Sequence, residues 1–174
     1  IGDTISRPDN PVALPRIHVD EPTVSMRVAI NTSPFAGREG TIVQSRKIRE
    51  RLFKETLRNV AVQVEAAGGD EVFLVKGRGE LQMAILIETL RREGYELTVG
   101  RPEVILKYTD GGPLEPVEHL IIDCDEAFTG MVTEKLSIRK GRLVDMAHRA
   151  SGRVRLEFSI PSRGLIGYRD ELLT

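Results

Sequence analysis

The sequence predicts an α+β chain made of two consecutive βαββαβ units, the second lacking its last strand. Three observations carry this. Strand-like alternation and helix-like periodicity follow one another in that order twice, a Gly/Pro-rich stretch at 100–114 parts the two runs, and each run holds a glycine-containing turn between two strand signals.

Pro8, Pro11, Pro15 and Pro22 punctuate the first 22 residues, which show little periodicity. Residues 1–20 therefore read as a linker or the tail of a preceding domain. In residues 21–100, Val24, Met26, Val28 and Ile30 alternate with polar or small residues as in a half-buried strand. A helix follows at about 43–59, with Ile48, Leu52, Phe53, Leu57 and Val60 on one side. Strands at 61–65 and 72–76 flank Gly68-Gly69-Asp70. A second helix at 79–93 carries Leu81, Ala84, Ile85 and Ile87 and stops at Gly94, before a strand with Tyr95, Leu97 and Val99. Residues 101–174 repeat the pattern. A strand at 117–124 leads to a helix from Glu126 to about Arg139, with Phe128, Met131, Val132 and Leu136 on one face. A hairpin of 143–147 and 154–160 turns at Ala150-Ser151-Gly152, and a helix from Ser162 carries Leu165, Ile166 and Leu172. Residues 104–108 add a short strand. The unit is the split-βαβ, or ferredoxin-like, arrangement.

Composition is ordinary for a globular chain, with 40% hydrophobic and 29% charged residues. No 18-residue apolar run exists, so no membrane-spanning helix is expected. The single Cys124 rules out an internal disulfide and a cysteine zinc cluster, which fits the cytoplasm. Ile1 in place of Met, and an amphipathic segment running into Thr174, read as the ends of a piece of a longer chain. Net charge is only −1, yet residues 115–134 hold six acidic residues and no Lys or Arg, whereas 139–169 hold eight basic residues against two acidic ones. Such segregation predicts a directed field.

No catalytic constellation is expected. Lys76-Gly77-Arg78-Gly79-Glu80-Leu81-Gln82 follows a strand and opens a helix, but Gln82 replaces the last glycine of a dinucleotide fingerprint. A tight turn needing glycine flexibility is the plainer reading. No Gly-Lys pair occurs, so no Walker-type phosphate loop is present. His18, His119 and His148 lack metal-ligand spacing and read as packing or surface histidines, and Cys124 as a small buried hydrophobe. Ser151, Ser159 and Ser162 have no nucleophile elbow. Asp123, Asp125 and Glu126 read as helix N-terminal carboxylates. An anion-cradling loop like that of the acylphosphatases, which share this topology, is not recognisable after Ile30. Neither a cofactor nor a metal is expected within this chain.

Basic surfaces are the stronger signal. Lys47, Arg51, Lys54 and Arg58 fall at i, i+4, i+7 and i+11 on the first helix, opposite its apolar face. They form either a solvated face, tempered by a Glu50–Lys54 pair, or a polyanion contact. In the second unit Arg139, Lys140 and Arg142 sit at a helix end, Arg153 and Arg155 on the outer sheet face, and Arg163 in the next helix. The outer sheet positions Arg153, Arg155, Glu157 and Ser159 include no aromatic, so base stacking is not expected, and recognition of folded RNA by its phosphates remains. A ligand-sensing pair of modules and a purely structural spacer are the other readings.

Three stretches carry a family likeness: 31–40 (NTSPFAGREG), 75–82 (VKGRGELQ) and 160–167 (IPSRGLIG), with 20–23 (DEPT) and 139–141 (RKG) in agreement. They resemble the TypA/BipA translational GTPases. The resemblance implies that 1–20 end a β-barrel domain, that 21–100 are similar to domain III, and that 101–174 are similar to most of domain V of elongation factor G. It implies a ribosome-binding, non-catalytic fragment acting in stress responses and ribosome assembly. Its partners would be rRNA, ribosomal proteins and its own GTPase and C-terminal domains. GTP and magnesium would belong to the GTPase domain, which lies outside this chain.

Overall fold

The computed structural model describes residues 4–15, 19–69 and 71–173. The chain folds as two compact units, Ile1–Arg101 and Pro102–Thr174.

The first unit runs β1 (Val24–Ile30), α1 (Ser45–Arg58), β2 (Gln63–Ala66), β3 (Val72–Gly77), α2 (Glu80–Arg92), β4 (Leu97–Val99). Its antiparallel strands lie in the order β2-β3-β1-β4, with Val24 opposite Gly77 and Ile30 opposite Leu97. That order and the helix crossovers make it a ferredoxin-like module. Val24, Met26 and Val28 are buried while Arg27 is exposed, as the alternation requires.

Two apolar faces differ from expectation. On α1 only Ile48 and Leu52 are buried, whereas Phe53 and Leu57 are exposed. At about 100° per residue, Leu57 falls opposite Ile48, so one helix cannot bury both against one sheet. On α2 the buried residues are Met83, Leu86 and Leu90, not Leu81 and Ile85, which face solvent. Apolar residues surround this helix almost completely, so periodicity alone leaves the choice open and packing on the sheet makes it.

The second unit contains β5 (Glu103–Val104), a hairpin of β6 (Lys107–Thr109) and β7 (Gly112–Leu114), then β8 (Val117–Asp125), α3 (Thr129–Ile138), β9 (Arg142–Arg149), β10 (Arg153–Pro161), α4 (Ser162–Leu165) and α5 (Tyr168–Leu173). The main sheet has the order β8-β10-β9. This is the ferredoxin-like order with no strand beside β8 among the described residues, where the equivalent β1 of the first unit pairs with β4. Val154, Leu156, Phe158 and Ile160 of β10 are fully buried against Val132 and Leu136 of α3. Phe128 and Met131, expected on that face, are about half exposed; a 3-10 turn at Glu126–Phe128 precedes α3 and displaces Phe128 from the helical register. The helix expected from Ser162 is two short ones. They part at Ile166 and Gly167, where the Arg139 guanidinium takes the carbonyls of Gly164 (2.9 Å) and Ile166 (3.0 Å).

α3 ends in a Schellman turn: the Gly141 N–H donates to Leu136 O (2.8 Å) and the Lys140 N–H to Ser137 O (3.0 Å). Lys140, not glycine, takes the left-handed position, with φ 68°. Gly141 is held by contact instead, since a Cβ there would stand 2.9 Å from Leu136 O and 3.3 Å from Ile160 Cδ1.

Candidate nucleic-acid interface

The charge segregation of the second unit is largely cancelled by its own sheet. β8 carries the acidic residues, and the basic β10 lies antiparallel beside it, with Asp123 opposite Arg155 and Asp125 opposite Arg153. Arg155 holds Asp123 through two hydrogen bonds (3.0 and 2.9 Å), and Arg153 reaches Asp123 O (3.0 Å) and Asp125 (3.9 Å). The Arg155 hydrogen bond draws the Asp123 carboxyl below its usual range, with burial opposing. Arg163 is bound by Glu115 at 2.6 Å. Arg139 is tied to Glu171 (2.8 Å) and to two backbone carbonyls, and its guanidinium lies 5.3 Å from the Tyr168 ring centre. The directed field expected from the sequence is therefore corrected to local neutralisation, because acidic and basic blocks remote along the chain are neighbours in the sheet.

On α1 the four-residue stripe divides. Arg51 is only 12% exposed at its side chain and bonds Glu93 (2.6 Å) and Glu55 (2.8 Å). The Glu93 hydrogen bond raises its already high pKa further, against the effect of burial. It is a clasp between α1 and the end of α2. Lys47, Lys54 and Arg58 stay exposed, and no ion pair or side-chain hydrogen bond holds them among the described residues. Glu50, expected to temper Lys54, pairs with Arg46 instead, at 3.4 Å. Lys140 and Arg142 at the α3–β9 turn are likewise exposed and unpaired among the described residues.

Ten basic residues thus sort into two sets of different chemistry. Arg51, Arg139, Arg153, Arg155 and Arg163 have their charge committed to carboxylates or backbone. Lys47, Lys54, Arg58, Lys140 and Arg142 present theirs to solvent, where a phosphate can displace counterions. The outward positions of β10 are Arg153, Arg155, Glu157 and Ser159, with no ring on which a base could stack.

Relatives from several bacteria match the chain along its length. It is 52% identical over 99% of its length to "Large ribosomal subunit assembly factor BipA" of Synechocystis, 53% identical over 100% to the protein of that name from Haemophilus influenzae, and 49% identical over 100% to the one from Bacillus subtilis. The likeness to BipA runs the whole length of the chain. Residues 113–174 also match the family described as "Elongation factor G C-terminus". The BipA-like chain spans less than a third of these relatives, 28–29% of each.

The other candidate features of this BipA-like chain are accounted for by structure. In the 76–82 turn the Arg78 N–H, which a phosphate would need, is capped by Gln82 Oε1 (2.8 Å), and Lys76 is paired with Glu65 (2.6 Å). A Cβ at Gly77 would run into Met83 Cε and Gln82 Oε1. His119 bonds Glu157 (3.0 Å) and His148 lies 3.7 Å from Glu126; His18 falls outside the described residues. Among the described residues no group of three or more His, Cys, Asp or Glu side chains could hold a metal, and no helix is long and apolar enough to cross a membrane. Cys124 is half-buried, beside a hollow lined by Phe128, Met131 and Tyr168. Sequence reasoning missed Glu96, a polar residue between Tyr95 and Leu97 that is only 7% exposed in the fold.

Proposed function

We propose that this chain is the ribosome-facing, non-catalytic segment of a longer BipA-type GTPase of the bacterial cytoplasm, acting in large-subunit assembly and stress responses. Residues 21–100 correspond to a domain III-like module that relays between the GTPase domain and the ribosome, and 101–174 to a domain V-like module that docks on rRNA. Residues 1–20 are the end of the preceding β-barrel domain. The observation that carries the reading is the identity of about half the residues, over the full chain, with proteins named as large ribosomal subunit assembly factors.

The contact chemistry follows from the free cations. Lys47, Lys54 and Arg58 on one unit, and Lys140 and Arg142 on the other, supply phosphate contacts without first breaking an internal ion pair. Arg51, Arg139, Arg153, Arg155 and Arg163 hold the scaffold that positions them. The chain's residues do not fit GTP or magnesium: it has no phosphate loop, and its strand-to-helix turn is already capped by Gln82. Nucleotide chemistry is therefore assigned to the GTPase domain.

The test is charge reversal at Lys54 and Arg58, and separately at Lys140 and Arg142, in the full-length factor. Weaker binding to large subunits and lower ribosome-stimulated GTP hydrolysis are expected for each. Unchanged values in both would leave the two modules as spacers.

A further inference from the structure

The loop that follows β1, from Asn31 to Gly40, turns its polar groups inward onto one side chain, Glu96, between α2 and β4. Oε1 of Glu96 accepts from Asn31 Nδ2 (2.5 Å) and the Gly37 N–H (3.1 Å). Oε2 accepts from the N–H groups of Gly37, Glu39 and Gly40, each at 3.0 Å. Both oxygens are thus held by backbone and amide dipoles. No lysine or arginine bonds this buried carboxylate among the described residues. Burial pushes its pKa up, but the hydrogen bonds from Asn31, Gly40, Glu39 and Gly37 outweigh that and draw it below the usual carboxylate range.

A convergent set of N–H donors around an oxyanion, with no cation, is the arrangement by which backbone nests bind phosphate and carboxylate groups. The loop is shaped closely to this seat. A Cβ on Gly40 would stand 2.8 Å from Gly94 O and 3.0 Å from the Glu96 nitrogen. Glu96 also lines a hollow of about 560 Å³ together with Asn31, Phe35, Arg38 and Arg91. Neither arginine is bonded to Glu96: Arg38 lies over the Phe35 ring at 4.6 Å and Arg91 pairs with Glu88 at 2.8 Å. Arg38 therefore brings a positive charge to this hollow, which the Glu39 carboxylate also lines, while the charge of Arg91 is committed to Glu88.

We propose that the 31–40 loop is an oxyanion-binding site whose resident ligand is the chain's own Glu96, and that phosphate or carboxylate occupies the same N–H donors once the Glu96 carboxylate is removed. Glu96 is then an intramolecular plug. The site shares no residue with the exposed cations of α1 or of the α3–β9 turn, and the proposal stands or falls independently of RNA binding.

The experiment uses Glu96→Ala in the 174-residue chain, with inorganic phosphate and acetate added against chloride at matched ionic strength. Loss of the carboxylate lowers the melting temperature. Phosphate or acetate at about ten times its Kd then restores it by roughly 6 °C, saturably, while the parent chain does not respond. The Gly37, Glu39 and Gly40 amide resonances move with the same concentration dependence. A larger response to phosphate assigns a share to Arg38, and an equal or larger response to acetate assigns the site to the N–H donors alone; both support the cradle. Melting and amide shifts that match the chloride control overturn it. Should Glu96→Ala not fold in chloride, its refolding yield in phosphate or acetate reads the same site: recovery supports the cradle and no recovery overturns it.

Discussion

Replacing Lys140 separates backbone strain from charge at one residue. Lys140 occupies the left-handed position of the turn that ends α3, where glycine is usual. A residue with a Cβ is disfavoured there by about 1–2 kcal/mol, of which glycine's extra freedom in the unfolded chain offsets roughly 0.5–1. Lys140→Ala removes the cation and keeps the Cβ, whereas Lys140→Gly removes both. The glycine variant is therefore expected to be the more stable of the pair by about 1 kcal/mol, or roughly 4–8 °C in a unit of this size. Both variants lose the same helix-end charge, so their difference isolates the backbone. Hydrogen exchange at the Leu156 and Phe158 amides, in the buried strand β10 of this unit, reads the difference. Against rRNA the two variants should behave alike, each lowering the salt slope of log affinity by about 1. An alanine variant as stable as the glycine one would refute the strain argument. An unchanged slope in both would remove Lys140 from the interface.

Three further outcomes follow from the same geometry. Removing Lys47, Lys54 and Arg58 together should lower the salt slope by about 3, whereas Arg155→Ala and Arg163→Ala should leave it nearly unchanged; anisotropy titrations with large-subunit rRNA between about 50 and 200 mM salt measure both. Phe158→Ala empties a fully buried site and should cost about 3–5 kcal/mol in urea denaturation, most of this unit's stability, without altering exchange at Phe73 and Val75 of the other. Asp123 (through the Arg155 hydrogen bond), Glu171 (through Lys135, then Arg139) and Glu96 (against burial, through Asn31 and the loop amides) all have pKa values below the usual range in the fold. The folded chain then binds fewer protons than the unfolded chain. Their stabilisation is present above about pH 4.3 and lost as pH falls through the folded values. A urea midpoint that rises on acidification below that pH would contradict this, and Glu96→Gln should flatten the decline.

How far the sequence reaches is decided by whether a feature is local. The alternation of β1 and the Ile48–Leu52 pair on α1 are local, and the fold follows them. The α2 face is not: with Leu81, Met83, Ile85, Leu86, Ile87 and Leu90 in one helix, only the sheet beneath selects Met83, Leu86 and Leu90. The charge pattern is instructive in another way. A βαββαβ unit already places its first strand beside its third, so the predicted fold implies that the acidic block of β8 abuts the basic block of β10. What periodicity withholds is the register. With Asp123 opposite Arg155 the charges meet on the solvent side, and a slip of one residue would set Asp123 across the sheet from its partner. The same reasoning explains Glu96. Between Tyr95 and Leu97 it reads as an outward residue of an alternating strand, yet the donors that draw it inward belong to a loop more than 55 residues earlier in the chain. Side chains bound to distant backbone leave no periodic trace. The committed arginines and the buried glutamate are both of this kind, whereas the exposure of Lys47, Lys54 and Arg58, which need no partner, follows from helical spacing alone.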